Sequence, residues 1–141
     1  MRKAKRILVG LKSLENAVEL TDLACRLGGR GTSLLLVHVI ELPDNTPLDI
    51  PAPKLEAEAR KILRTSEGVA RRNRLTANTL VLRAHSASSA LLDELKERKS
   101  DLAVLGYHHR RTLGEVLFGT TAKHLATHSP CHVVLSIPPR Q

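Results

Sequence analysis

The residue types best suited to bind an anion lie in the C-terminal third of the sequence. Gly106 ends an apolar segment, and Gly119 is followed by two threonines, Thr120 and Thr121. Glycines allow a ligand to approach the main chain closely, and backbone N–H groups and hydroxyls donate hydrogen bonds to phosphate oxygens. This segment is therefore a candidate anion cradle.

The overall charge also favours an anionic ligand. Lys and Arg number 22 and Asp and Glu number 14, which gives a formal net charge of +8. Arg110 and Arg111, between the two glycines, would either add charge-assisted bonds to phosphate or lie solvated in a loop. The only aromatic residues are Tyr107 and Phe118, so the chain lacks a platform for stacking bases, and sequence-specific nucleic-acid recognition is not expected.

Catalytic and metal-binding patterns are not evident. The P-loop pattern GxxxxGK[ST] and the GxSxG elbow are both absent. Asp101 and Glu115 are the carboxylates from residue 100 onward, and nothing pairs them for acid–base work. His124 and His128 have helical spacing without the glutamate of HExxH, and no metal-ligand set is expected.

Short apolar runs alternate with amphipathic helical patterns along the whole chain. Ser13 is predicted to cap the first helix, Ser86 or Ser88 the third, and Leu55 is predicted to lie on the buried stripe of the second. The predicted strands cover residues 7–12, 33–40, 78–84, 101–106 and 130–137, and the predicted helices follow Ser13, Lys54, Ser86 and Gly114. Such alternation predicts an α/β fold with a doubly wound, mainly parallel, five-stranded sheet and four helices, of the Rossmann-like type.

The chain is predicted to form one domain, residues 1–141, with a core over about 5–137. A basic lead-in occupies residues 1–6, and a loop rich in proline occupies residues 41–53. No run of about 18 apolar residues occurs, and the first apolar run is too short for a signal-peptide core, so a cytoplasmic protein is expected. Cys25 and Cys131 lie far apart in apolar segments, as small core residues of a reducing compartment do.

In doubly wound sheets, ligands bind beyond the carboxyl ends of the strands, where the strand order reverses. The residues that follow the first, second and fourth strands are therefore the candidates for a binding site.

The sequence resembles the universal stress protein family over residues 5–137. Nucleotide-binding members carry G-x2-G-x9-G-[ST] after the fourth strand, and Gly106, position 109 and Gly119-Thr120 reproduce that spacing, with His109 in place of the middle glycine. The opening ILVGLKS at residues 7–13, LLVHVI at residues 35–40 and SPCHVVL at residues 129–135 are also similar to family segments.

The resemblance implies a regulatory stress-response protein that binds ATP or AMP. Any ATP hydrolysis is expected to be slow, as in a binding protein. Lys12 stands where family members usually have an acidic residue, so a carboxylate contact is lost and a lysine contact to phosphate becomes available. The resemblance assigns the nucleotide to Leu11, Lys12, Val39, Leu105, Gly106, His109, Gly119, Thr120 and Thr121. It also implies a homodimer formed by pairing of the last strands, residues 131–137.

An alternative function is a universal stress protein that binds no nucleotide and acts as an interaction module through its dimer and its basic surface. The basic surface would comprise Arg60, Lys61, Arg64, Arg71, Arg72 and Arg74. Domains of this family also occur attached to transporters and kinases, which leaves a protein or membrane-protein partner open.

Overall fold

The computed structural model describes residues 3–106 and 120–137, and within these ranges strands and helices alternate throughout. The strands are β1 (Arg6–Gly10), β2 (Ser33–Glu41), β3 (Thr76–Ala84), β4 (Leu102–Gly106) and β5 (His132–Ser136). The helices are α1 (Leu14–Leu27), α2 (Pro53–Arg72), α3 (Ala87–Glu97) and α4 (Thr120–His128). Residues 107–119 lie outside the described ranges. They include the segment between Gly106 and Gly119 and the start of the predicted fourth helix.

The five strands form one sheet in the order β3-β2-β1-β4-β5, and every neighbouring pair is parallel. The chain first adds strands on one side of β1 and then returns to add β4 and β5 on the other. The predicted doubly wound sheet with four helices is confirmed, and its switch point lies between β1 and β4.

Helices cover both faces of the sheet because the strands carry apolar residues in both directions. On one face, Ile7 and Val9 of β1 pack with residues of α1 and α2. On the other, Leu8 packs with residues of α3 and with Leu125 of α4. Successive strand residues point to opposite faces, so a continuous apolar strand fills two cores at once.

The capping predictions have different outcomes. Ser86 is the N-cap of α3, and its Oγ accepts a hydrogen bond of 3.3 Å from the Ser89 N–H, as predicted. Ser13 occupies the N-cap position of α1 as predicted, but its side chain makes no capping hydrogen bond to the helix. Its hydroxyl instead contacts Oδ1 of Asn16 at 3.3 Å.

Two other sequence expectations differ from the structure. Leu55 was predicted to be buried, but 42% of it is exposed. No residue in the first turn of α2 is buried, and the first buried residue of the helix is Ala59, which packs with Ile40 and Leu42. β1 was predicted to continue to Lys12, but the strand ends at Gly10.

Arg83 of the edge strand β3 makes three hydrogen bonds to the loop between β2 and α2 and to the start of α2. Nη1 of Arg83 donates to the carbonyl of Leu48 at 3.1 Å and also to that of Ile50, and Nη2 donates to the carboxylate of Glu56. Arg83 therefore joins β3, the loop and the first turn of α2.

Cys25 lies in α1 and is buried, and Cys131 is half-buried. Burial raises the pKa of the Cys25 thiol, and the neighbouring Asp22 carboxylate raises it further.

Among the described residues, no helix is long and apolar enough to cross a membrane.

Candidate functional site

The carboxyl edge of the sheet has a notch above β1. Gly10, the last residue of β1, pairs with Val37 of β2 and with Leu105 of β4. β2 continues for four more residues, 38–41, paired only with β3. At about 3.3 Å per residue, this overhang makes a wall roughly 13 Å high beside the end of β1. The notch lies at the switch point, where ligands of such sheets bind.

The floor of the notch is the main chain of Leu11, which is held to β2 at both of its polar groups. Its N–H donates to the Val37 carbonyl at 2.8 Å, and its carbonyl lies 2.7 Å from Nδ1 of His38. A carbonyl can only accept, so Nδ1 of His38 carries the proton in this contact. His38 is only 9% exposed, and this buried bond sets where the β1–α1 connection begins.

Close packing of α1 against the end of β4 forms the side of the notch. A Cβ atom added to Gly106 would lie 2.6 Å from Nδ2 of Asn16 and 2.8 Å from Cδ1 of Leu20. Both distances are shorter than carbon and nitrogen side-chain atoms tolerate. The glycine therefore allows the first two turns of α1 to approach the strand end.

The structure brings five of the sequence-assigned residues to this edge. Leu11 and Leu105 are buried, Val39 is half-buried on the wall against the α3-side core, and Gly106 ends β4. Lys12 is exposed at the start of the β1–α1 connection, where its ammonium group is accessible to solvent.

The remaining assigned residues belong to the segment after β4. Thr120 is the first described residue of α4, and Thr121 follows it in a half-buried position. His109 and Gly119 lie outside the described residues, as do Arg110 and Arg111.

Two residues of this edge were not identified from the sequence. His38 belongs to the LLVHVI segment, which served only as a family resemblance. A lone histidine in an otherwise apolar strand indicates a buried hydrogen bond, and this pattern was sufficient to identify His38 from the sequence. Asn16 gave no comparable signal, because its place beside Gly106 depends on how α1 lies against β4.

The described residues do not form a metal site at the notch. Nowhere in residues 3–106 and 120–137 do three or more histidine, cysteine, aspartate or glutamate side chains gather as metal ligands. His124 and His128 are neighbours on α4, with ring centroids 4.7 Å apart.

Comparison with known proteins identifies the family. The model of the universal stress protein family matches residues 3–136, so the chain belongs to that family. No curated protein matches the sequence.

Solved structures with low sequence identity share the fold. A universal stress protein from Archaeoglobus fulgidus in complex with dAMP has a TM-score of 0.70 at 18% identity, with 92% of this chain and 95% of that chain covered. A universal stress protein in complex with cAMP has a TM-score of 0.67 at 16% identity, covering 96% and 98%. An Arabidopsis thaliana family protein with AMP bound has a TM-score of 0.63 at 14% identity, covering 96% and 92%.

Proposed function

We propose that this protein binds an adenine nucleotide of the ATP or AMP type in the notch at the carboxyl edge of the sheet. The observation that carries the proposal is the notch itself, which lies at the switch point of a sheet whose structural neighbours include proteins in complex with dAMP, cAMP and AMP. β1 ends four residues before β2, and this difference in strand length defines the notch.

In this proposal the adenine lies against the overhang of β2, beside the backbone of Val39. Leu11 and Lys12 contact the base and ribose. Lys12 is exposed and cationic, so it is able to reach a phosphate. The ribose and phosphates are surrounded by Leu105, Gly106, His109, Gly119, Thr120 and Thr121.

His109 stands where nucleotide-binding members of the family have glycine. An imidazole occupies space that a glycine leaves open, so this position limits how closely a phosphate or ribose approaches. His109→Gly should therefore maintain or strengthen nucleotide binding.

The test is isothermal titration of the purified protein with ATP and with AMP, after mass spectrometry has shown whether nucleotide co-purifies. We expect micromolar binding of one adenine ligand. Gly119→Asp should weaken it by at least about tenfold, because a carboxylate would face the phosphates. The matched control is Gly68→Asp, since Gly68 lies on α2 with no atom within 4 Å of an added Cβ.

Two results would contradict the proposal. In the first, neither the wild type nor His109→Gly binds any adenine nucleotide. In the second, Gly119→Asp and Gly68→Asp weaken binding equally, which would assign the loss to general charge effects.

We further propose that the protein forms a homodimer through β5. Among the described residues, β5 is an edge strand that pairs with β4 alone. Its apolar residues Val133, Val134 and Leu135 are half-buried, and Ile137 just beyond it is 40% exposed. An edge with unpaired main-chain groups and partly exposed apolar side chains is suited to pairing with a second copy.

A further inference from the structure

A second recess lies at the amino edge of the sheet, at the opposite end from the notch. It has a volume of about 130 Å³ and lies where β1, β2 and β3 begin and α3 ends. Its polar lining residues are Arg6, Ser33, Asn78, Arg98 and Ser100. The nucleotide proposed above binds at the other ends of the strands, so this recess is a separate feature.

The polar lining of the recess consists of hydrogen-bond donors without a carboxylate. Arg6 and Arg98 supply guanidinium groups, and the other three residues supply an amide and two hydroxyls. In the part of the chain that the structure describes, the Arg6 guanidinium has no ion-pair partner. Arg98 forms an ion pair with Glu94 of α3, with Nε 3.3 Å from the carboxylate.

Asp101 follows Ser100 of the recess, and among the described residues its carboxylate forms no ion pair with Arg6 or Arg98. The carboxylate of Asp101 accepts hydrogen bonds from the main-chain N–H groups of Lys5, at 3.0 Å, and Arg6, at 3.1 Å. It fastens the start of β1 to the start of β4. Among the described residues, Arg6 therefore keeps its charge without an ion-pair partner, whereas Arg98 shares its charge with Glu94.

The carboxyl end of α3 would oppose an anion if its carbonyls were unpaired, because that end of a helix is electronegative. Three of these carbonyls are already bonded. Those of Glu94, Leu95 and Lys96 accept from the N–H groups of Arg98, Ser100 and Lys99 at 2.9, 3.2 and 3.4 Å. The electrostatic repulsion between the carboxyl end of α3 and a bound anion is therefore reduced.

The size of the recess selects among anions. Pockets for drug-sized ligands have volumes of roughly 300–1,000 Å³, so a recess of about 130 Å³ is too small for a nucleoside. Two arginines with neighbouring hydroxyl and amide donors match the oxygens of a phosphate group. We propose that this recess is a binding site for a phosphate group, either as inorganic phosphate or as the end of a small phosphate monoester.

The test is a titration of ¹⁵N-labelled protein with inorganic phosphate, followed by amide chemical shifts at constant ionic strength. Saturable shifts are expected at the amides of Arg6, Ser33 and Ser100. A parallel titration with glycerol 3-phosphate separates the two sources: the same shifts assign a monoester site, and shifts with inorganic phosphate alone assign a site for the free ion.

Matched double variants separate the recess from the general positive charge of the protein. Arg6→Gln with Arg98→Gln removes both lining charges and should weaken phosphate binding by at least about tenfold. Lys5→Gln with Lys99→Gln removes two charges from adjacent exposed residues that do not line the recess, and should leave the affinity within about twofold.

Three outcomes would overturn the proposal. The first is equal weakening in the two double variants. The second is a set of shifts in the wild type confined to Leu11 and Lys12, which would assign phosphate to the notch. The third is the absence of saturable shifts at Arg6, Ser33 and Ser100. The last two need no variant, so the proposal is testable even if a variant unfolds.

Discussion

At the scale of single residues, the imidazole of His38 links the second strand to the point where the first strand becomes a loop. Its Nδ1 donates to the Leu11 carbonyl at 2.7 Å in a site that is almost closed to solvent. Buried polar groups that lose their partner cost about 1–3 kcal/mol, because the remaining group is neither hydrated nor bonded. The position of the notch floor should therefore depend on this one bond.

We expect His38→Leu to lower the free energy of unfolding by about 1–3 kcal/mol and also to weaken nucleotide binding. His38→Asn is the matched variant, because its amide N–H₂ can donate from near the place of Nδ1. It should recover part of both losses. Urea unfolding and nucleotide titration measure the two effects. Equal stability of His38→Leu and the wild type would show that the bond contributes nothing.

Residue-level sequence reasoning identified residues that lie at the carboxyl edge of the sheet and missed the contacts that hold them there. Leu11, Lys12, Leu105 and Gly106 follow or end apolar runs, so their place at the carboxyl edge follows from the pattern and the family resemblance. Asn16 depends on the contact between α1 and β4, and that tertiary contact has no periodic signal in the sequence.

At the scale of elements, the contact between α1 and β4 requires a residue without a side chain. Gly106 is not among the described residues with positive φ, so the requirement is space rather than backbone conformation. Leu20, one of the two obstructing residues, is 2% exposed and has little room to move.

Gly106→Ala should therefore destabilise the protein by about 1–3 kcal/mol, as overpacking of a close contact does. Gly68→Ala is the control, because an added Cβ there meets no atom within 4 Å on the face of a long helix. It should stabilise by about 0.5–1 kcal/mol through helix propensity. Chemical unfolding measures the free energy of unfolding of both variants. A change of the same sign in both would contradict the proposed requirement for glycine at position 106.

The elements themselves were predictable because their periodicity is strong, whereas their ends were not. β3 was predicted to start at residue 78 and starts at Thr76. As an edge strand it is partly exposed, and Ala77 is the one apolar residue among its first four residues, so they carry no apolar pattern. The first turn of α2 has no buried residue, and Leu55 lies outside the core despite its place on the apolar stripe.

At the scale of the whole molecule, the two edges of the sheet offer a matched test of the proposed dimer. Ile137 beside β5 and Val81 on β3 are both apolar and both 40% exposed. If copies pair through β5, Ile137→Arg should shift the dimer towards monomer, because a charge would be buried at the interface. Val81→Arg should leave the dimer unchanged. Analytical ultracentrifugation measures the fraction of dimer in each variant. A larger loss of dimer in Val81→Arg than in Ile137→Arg, or a monomeric wild type, would refute β5 pairing.

The doubly wound topology followed from the alternation of elements, but the notch did not. Its depth comes from the difference in length between β1 and β2, and β2 keeps its last four residues in the sheet because β3 pairs with them. Strand length beyond a neighbour is decided by the pairing partner, which one strand's own sequence does not specify.

The bonds of Arg83 have a consequence for how the proline-rich loop tolerates sequence change. Arg83 holds this loop through the carbonyls of Leu48 and Ile50, which every amino acid possesses, and through the carboxylate of Glu56, which few can replace. The side chains of Leu48 and Ile50 are 39% and 40% exposed. Evolutionary drift at residues 48 and 50 therefore leaves the attachment intact, whereas a change at residue 83 removes all three bonds and a change at residue 56 removes one.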